Sequence, residues 1–401
     1  MIIAADHVVT PDGVFSPGWI RVAGAVIEAV GQGTPPAPAP APASAAAAQP
    51  AGIRGHWALP GFIDMHVHGG GGASFTEGGE QEAGRAAAFH RLHGTTRAIA
   101  SLVTAPADVL ARRVSMLADL AEDHVIDGIH LEGPFLSPAR RGAQDPRYLI
   151  PPDVALFERL RAAARGWLRM ITIAPELPGA TEVIRAAVDA GVIASAGHTD
   201  ASAEVTSAAV DTGISHATHL FNGMRPLGHR EPGPVGALLD RAGGLDGTVS
   251  CEVIADGTHL HDVAIRLVAR AAGPGNLVLV TDAVTAAGMA DGDYRLGELD
   301  VTVSGGVARL AGQAPGATGP GAPGAIAGST ATMDAVVRRA ITSIGLSVTE
   351  VARAAATTPA RQLGLGGVTG ALRPGLAADI VVLDAGLQVS AVLARGQLVS
   401  R

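Results

Sequence analysis

The sequence predicts an α/β chain: a (β/α)8 barrel with a small β-sandwich domain formed by both chain ends. Three observations predict it. Apolar runs alternate with helix-like amphipathic segments over about 300 residues, the pattern of a parallel sheet covered by helices. Strand-like segments punctuated by turns occupy the two ends of the chain. Several of the internal apolar runs also close on His, Glu or Asp, and in a barrel all strand C-termini meet at one face, where the active site forms. The small domain is expected over 1–55 and 366–401, and the barrel over 56–365.

The elements follow in order. "HVVT" leads into the turn "PDG", and "GWIRVAGAVIEAVGQG" reads as two strands broken at Gly24. The Pro-Ala run from Thr34 to Pro50 favours an extended, solvated backbone and reads as a surface loop between two strands. From about His56 the strand candidates are "FIDMHVH", "TRAIASLV", "IDGIHLEGPF", "LRMITIAPE", "GVIASAGHT", "ISHATHLF", "TVSCEVIADG" and "LVLVTDAV". Stretches such as "PADVLARRVSMLADLAED" and "GATEVIRAAVDAG" supply the helices between them. "GQAPGATGPGAPGA" (312–325) reads as a mobile loop near the last barrel units, and "GALRPGLAADIVVLDAGLQVSAVLARGQLVS" returns to strands and hairpin turns.

Composition narrows the function classes. The chain has 401 residues, 47% of them hydrophobic and 16% charged, enough to bury a large core. No lysine occurs, so all 29 basic residues are arginine. A formal net charge of −8, with no basic run, argues against nucleic acid as a partner. A single cysteine, Cys251, excludes an intramolecular disulfide and fits a reducing cytoplasm. "MIIAADHVVTPDG" has neither the charged nor the apolar region of a signal peptide, and no apolar run reaches membrane-spanning length.

The chemistry is carried by the strand ends. Side chains alternate across a strand, so His66 and His68 point the same way, and two imidazoles converging at a strand terminus suit a metal. The four glycines that follow let a backbone or ligand come close. Further along, strands end in His130 and Glu132, in His198, in His216 and His219, in Asp256, His259 and His261, and in Asp282. Each has a plainer reading: Glu132 as a helix-end charge, Asp282 as an N-cap, His216 and His219 as neighbours on one helix turn. One ligand is expected from the His216/His219 pair. His130 shares strand parity with Glu132 and competes with it as a ligand. His90, His93, His124, His229 and His261 are expected at the surface or behind the site.

"PGFIDMHVHGGGG", "GIHLEGPFLSPARRGAQDP", "ASAGHTDAS", "ATHLFNGMRPLGHREPGPVGA", "VIADGTHL", "LVTDAVTAAG" and "IAGSTATMD" resemble, in order and over nearly the whole chain, the N-acetylglucosamine-6-phosphate deacetylase family of the amidohydrolase superfamily. The resemblance implies a metal-dependent hydrolase barrel that is usually a homodimer. It implies hydrolysis of the acetamide of N-acetylglucosamine 6-phosphate to glucosamine 6-phosphate and acetate, in amino-sugar catabolism and cell-wall recycling. It implies Glu132, His198 and His219 as the main metal ligands, and His66 and His68 as the His-x-His of members with a second metal position. Asp282 matches the catalytic aspartate, and His259 the histidine that contacts the scissile carbonyl. Asn222, Gly223 and Arg230 match the sugar-phosphate contacts, with Arg230 serving its own subunit or the partner's. Gln144 stands where many members carry His, so this chain departs from the family at that substrate contact. One or two divalent ions per chain are implied; His and Glu donors suit Zn²⁺, Fe²⁺, Co²⁺ or Mn²⁺ alike.

Two rival readings are weaker. Dihydroorotase-like and hydantoinase-like amidohydrolases bridge two metals with a carboxylated lysine, and this chain has no lysine. A non-catalytic sugar-phosphate sensor on the same fold is expected to lose the acid/base or the ligands, and this sequence keeps them.

Overall fold

A computed structural model describes residues 1–36, 52–243, 247–312 and 324–400. Most of the Pro-Ala run and most of the 312–325 stretch lie outside the described residues. Contacts divide the chain into two compact units. One comprises Met1–Ile63, Arg91–Thr96 and Leu346–Arg401; the other comprises Asp64–His90 and Arg97–Gly345.

The first unit is built on one sheet from both chain ends. Its hub is the strand Ile2–Thr10, antiparallel to Gly13–Phe15 and to Gly18–Ala23, and parallel to Ile53–Pro60. Val26–Gln32 pairs with Gly18–Ala23 through a turn at Gly24, whose φ of 58° suits glycine. On the other side Ile380–Leu383, Val389–Ala394 and Gln397–Leu398 continue the sheet. Alternation turns Ile3 and Ala5 of Ile2–Thr10 and Ile20 and Val22 of Gly18–Ala23 inward, where they pack with Val8, Ile27, Ile380, Val382 and Leu393. Burying those branched side chains is what joins the two distant ends of the chain.

The second unit carries most of an eight-stranded parallel sheet whose strands run in chain order. They are Phe62–Val67, Thr95–Leu102, Gly128–Glu132, Leu168–Ile173, Ile193–Ala196, His216–Ala217, Ser250–Ile254 and Leu277–Val280. All eight candidate runs form strands. The sheet closes on itself just past its ends: Val67 and Ala283 form a parallel bridge, and the Asp282 N–H donates to the His66 carbonyl at 2.8 Å. Helices Ala107–Glu122, Val154–Ala163, Ala180–Asp189, Ala203–Thr212, Gly233–Gly243, Asp262–Ala272 and Met333–Arg339 alternate with the strands. Short polar residues start several of them. Asp153 accepts from the backbone of Ala155 and Leu156, Ser202 from Val205, and His261 caps Asp262–Ala272.

Helix Val154–Ala163 places Phe157 wholly out of solvent. Phe157→Ala is expected to destabilise the protein by about 3–5 kcal/mol, because the cavity left behind relaxes only in part. Chemical denaturation checks this; a loss below about 1 kcal/mol would mean the site collapses freely.

One element was not expected. Between the eighth strand and Met333–Arg339 the chain forms a three-stranded antiparallel sheet, Gly292–Leu296, Leu299–Ser304 and Val307–Leu310. Val301, Val303 and Ala308 pack beneath it with Val284 and Ala286. Its signal is in the sequence: period-two alternation around "SGGV", with Gly305 and Gly306 at φ 60° and 74°, the two positive values a tight hairpin needs.

Candidate metal centre and active site

The strand ends deliver the titratable side chains to one place. Glu132 is the last residue of the third strand, His66 lies at the end of the first, and His68 follows it. His198, His219 and Asp282 each sit two residues beyond their strands. All six are at most 7% exposed. Leaving the strand so sharply strains the chain: His198, His219 and Asp282 have φ of 48°, 30° and 49°. Left-handed non-glycine backbone costs on the order of 1–3 kcal/mol per residue and persists where the surroundings enforce it, typically at functional sites.

Two donor groups result. Glu132, His198 and His219 form one; His66, His68 and Asp282 form the other. In the first, both imidazole Nε2 atoms lie 3.0 Å from Glu132 Oε1 and 3.1 Å from each other. In the second, the two Nε2 atoms are 3.1 Å apart, with Asp282 Oδ1 at 3.4 Å from His66 and 3.2 Å from His68. Glu132 faces both groups, at 3.6 Å from His66 and 3.4 Å from His68.

These donors fit a cation. His68 Nδ1 donates to the Ser101 carbonyl at 3.1 Å, and His198 Nδ1 to the Arg140 carbonyl at 2.9 Å. Each of those rings, when neutral, therefore turns a bare Nε2 lone pair inward, toward carboxylate oxygens that are also acceptors, a clash that a proton or a metal ion at Nε2 relieves. Acceptors packed against acceptors, out of water, are stable only around a positive charge. Burial opposes protonation of His68, yet Asp282 and Glu132 raise its pKa to about 9. Burial likewise works against Glu132 ionising, but His66 and the hydrogen bonds from His198 and His219 hold it well below the usual carboxylate range. The centre thus attracts cations, and its imidazole and carboxylate donors are those of divalent transition metals.

Around this centre is a cavity of about 250 Å³. His259, Gln144, Asn222 and Gly223 line it together with His68, Glu132, His198, His219 and Asp282. Gln144 Nε2 donates to Glu132 Oε2 at 2.6 Å, and its Oε1 accepts from the N–H and hydroxyl of Thr104. Asn222 Nδ2 donates to the His219 carbonyl. Gly223 allows close approach: a Cβ there would stand 2.7 Å from His198 Nδ1. Arg230 is exposed and does not line the cavity.

Several histidines fall outside both donor groups. His130 lies deeper in the third strand, bonded to the Ser101 and Thr172 hydroxyls. His216 lies within the sixth strand, bonded to Ser250 and Glu252. His90 is fully buried, at 2.8 Å from the Gly69 carbonyl, so it is no surface residue; it ties the Glu80–Leu92 helix to the glycine run. No helix follows Asp282 directly, so it is not an N-cap. Asp256, one of several strand-end candidates in the sequence, accepts from His259 Nδ1 at 2.8 Å and from the N–H groups of Thr258 and His259. Leu296, from the small antiparallel sheet, and Ile326 were missed as lining residues.

Residues 57–399 match the amidohydrolase family. An N-acetylgalactosamine-6-phosphate deacetylase of Escherichia coli O157:H7 is 36% identical over 85% of this chain and 87% of its own length. The N-acetylglucosamine-6-phosphate deacetylase of Bacillus subtilis (strain 168) is 36% identical over 85% and 84%. Among solved structures, an aspartate-to-alanine mutant of the Mycobacterium smegmatis N-acetyl-D-glucosamine-6-phosphate deacetylase, in complex with N-acetyl-D-glucosamine 6-phosphate, superposes with a TM-score of 0.91. It shares 43% identity and covers 100% of this chain and 99% of its own. With the donor groups at its barrel mouth, the chain belongs to the amidohydrolase family, among its N-acetylglucosamine-6-phosphate deacetylases.

Proposed function

We propose that the chain hydrolyses the acetamide bond of N-acetyl-D-glucosamine 6-phosphate, giving D-glucosamine 6-phosphate and acetate. The observation that carries this reading is the buried set of carboxylates and imidazoles opening into one cavity with Asp282 and His259 on its wall. Its likeness to the mycobacterial protein that binds this sugar phosphate supports the choice of substrate.

Glu132, His198 and His219 would hold one divalent ion, and His66 and His68, with Asp282, a second that Glu132 also faces. A divalent ion, when bound, supplies Lewis acidity and lowers the pKa of water toward neutrality. Asp282 then takes a proton from the attacking water as its oxygen bonds to the carbonyl carbon. The same carboxyl returns the proton to the nitrogen as the C–N bond breaks, because an amine leaves only when neutral. His259, whose Nδ1–H is held by Asp256, donates from Nε2 to the oxyanion in its doubly protonated form. Asn222 and Gly223 position the sugar, and Gln144 reaches it from beside Glu132.

Arg230 suits a phosphate dianion through its planar fork. Its absence from the wall of its own chain's cavity supports a homodimer in which it serves the partner's site. Among the described residues no helix is long and apolar enough to cross a membrane. The lone, buried thiol of Cys251 supports a cytoplasmic location.

The test is acetate release from N-acetylglucosamine 6-phosphate, N-acetylgalactosamine 6-phosphate and unphosphorylated N-acetylglucosamine, by wild type and Arg230→Ala. The wild type is expected to prefer the first. Arg230→Ala is expected to lower kcat/KM on the phosphorylated sugars by roughly 10- to 100-fold, as loss of a charge-assisted contact does, and to leave the third nearly unchanged. Equal losses on all three would refute the phosphate role, and no acetate from any would refute the function.

A further inference from the structure

Behind the donor groups lies a third carboxylate that the reaction does not use. Glu252, in the seventh strand, is wholly buried. Its Oε2 accepts from His66 Nδ1 at 3.1 Å and from the His219 backbone N–H at 3.0 Å. Its Oε1 meets His216 Nε2 at 2.9 Å, and His216 Nδ1 meets Ser250 Oγ at 2.6 Å. An isolated buried carboxylate is costly, so three polar partners converging on one point to a specific task.

The comparison among the rings identifies that task. His68 and His198 are each held by a neutral backbone carbonyl. Among the described residues, His219 Nδ1 has no hydrogen-bond partner. Of these four rings, His66 alone among the described residues has a carboxylate behind its Nδ1. A carboxylate behind a ligating imidazole fixes its tautomer, aims its free nitrogen and makes that nitrogen a stronger donor. Glu252 also adds negative charge beneath the group that contains His66, His68 and Asp282.

We propose that Glu252 is the positioning residue that makes the His66/His68/Asp282 group a metal-binding position, acting through His66 Nδ1, while the Glu132/His198/His219 group binds its ion largely without it. The inference rests on the two-ion reading above. Its grip on the His219 backbone is the smaller effect, because a main-chain bond positions that residue without polarising its ring.

The experiment is a titration of metal-free protein with Zn²⁺, recording bound metal and competition with a chelator. Wild type is expected to bind two ions. Glu252→Gln, which keeps the shape and removes the charge, is expected to weaken the second equivalent by about 10- to 100-fold and the first by less than about threefold. His66→Gln combined with Glu252→Gln is expected to bind no more weakly than His66→Gln alone, since both changes act on one donor. Glu252→Asp, which restores the charge one methylene short, is expected to fall between wild type and Glu252→Gln. It also serves if Glu252→Gln does not fold. Two ions bound with wild-type affinity in Glu252→Gln would overturn the proposal, as would equal weakening of both equivalents or a loss additive with His66→Gln. A wild type that saturates at one ion would instead overturn the two-ion reading, and the role of Glu252 with it.

Discussion

Asp282→Asn is expected to lower kcat by about 10²- to 10⁴-fold while leaving the Glu132/His198/His219 group able to hold metal. Asparagine keeps the size of the side chain and a carbonyl oxygen for His66 and His68, but it cannot take a proton from water. Asp282 is fixed for that task. Its backbone is held at φ 49°, its N–H donates to the His66 carbonyl, and its Oδ1 is turned to the imidazoles. Asp282 also lines the cavity into which the substrate and its water must come. Despite burial, the charge on His66 and the hydrogen bond from His68 keep Asp282 below the usual carboxylate range, so it is available as a base. Steady-state kinetics with metal analysis of the same sample decides the matter. More than about a tenth of wild-type kcat in Asp282→Asn would remove the residue from the acid/base role.

Glu132→Ala is expected to have the broadest effect, because Glu132 faces all four imidazoles and Gln144 at once. Without it the first group has only two neutral rings and the second loses its shared anion. Metal affinity should fall by more than the roughly 10- to 100-fold typical of losing an outer partner, with turnover falling in parallel. Metal content after dialysis is the measurement, with thermal unfolding of the metal-free proteins as the control. Unchanged stoichiometry would make Glu132 a strand-end charge and nothing more.

Much of this site was legible in the sequence, for a definite reason. Strand periodicity of two tells which face a side chain takes, so His66 and His68 could be paired, and Glu132 placed on the same interior as His130. Periodicity does not tell depth. His130 and Glu132 share a face, but His130 is one repeat deeper and is consumed by Ser101 and Thr172. His216 and His219 differ in the same way: one lies inside the strand, and the other beyond its end. Depth depends on where each strand meets the barrel mouth, and that is set by register with its neighbours. Glu252 went unnoticed because its meaning lies in His66, 186 residues away. Asp256 could be named from the sequence, but the way it holds His259 depends on a turn beyond the strand. The "SGGV" hairpin was readable by its glycines, but the place of Leu296, from the same small sheet, on the cavity wall was not.

The closure of the barrel has a consequence for how the protein is made. Asp64, in the first strand, receives the hydroxyl of Thr281, 217 positions later, and the donor groups straddle the same seam. As the chain leaves the ribosome, His66 and His68 emerge early and must wait for nearly the whole barrel before Asp282 arrives. Such long-range contacts are slow to form, because loop entropy is lost before they reward it. A chain that ends before the eighth strand therefore lacks Asp282 and the closed seam that sets it beside His66 and His68. The His66/His68/Asp282 group can form only after the eighth strand has been made and the seam has closed.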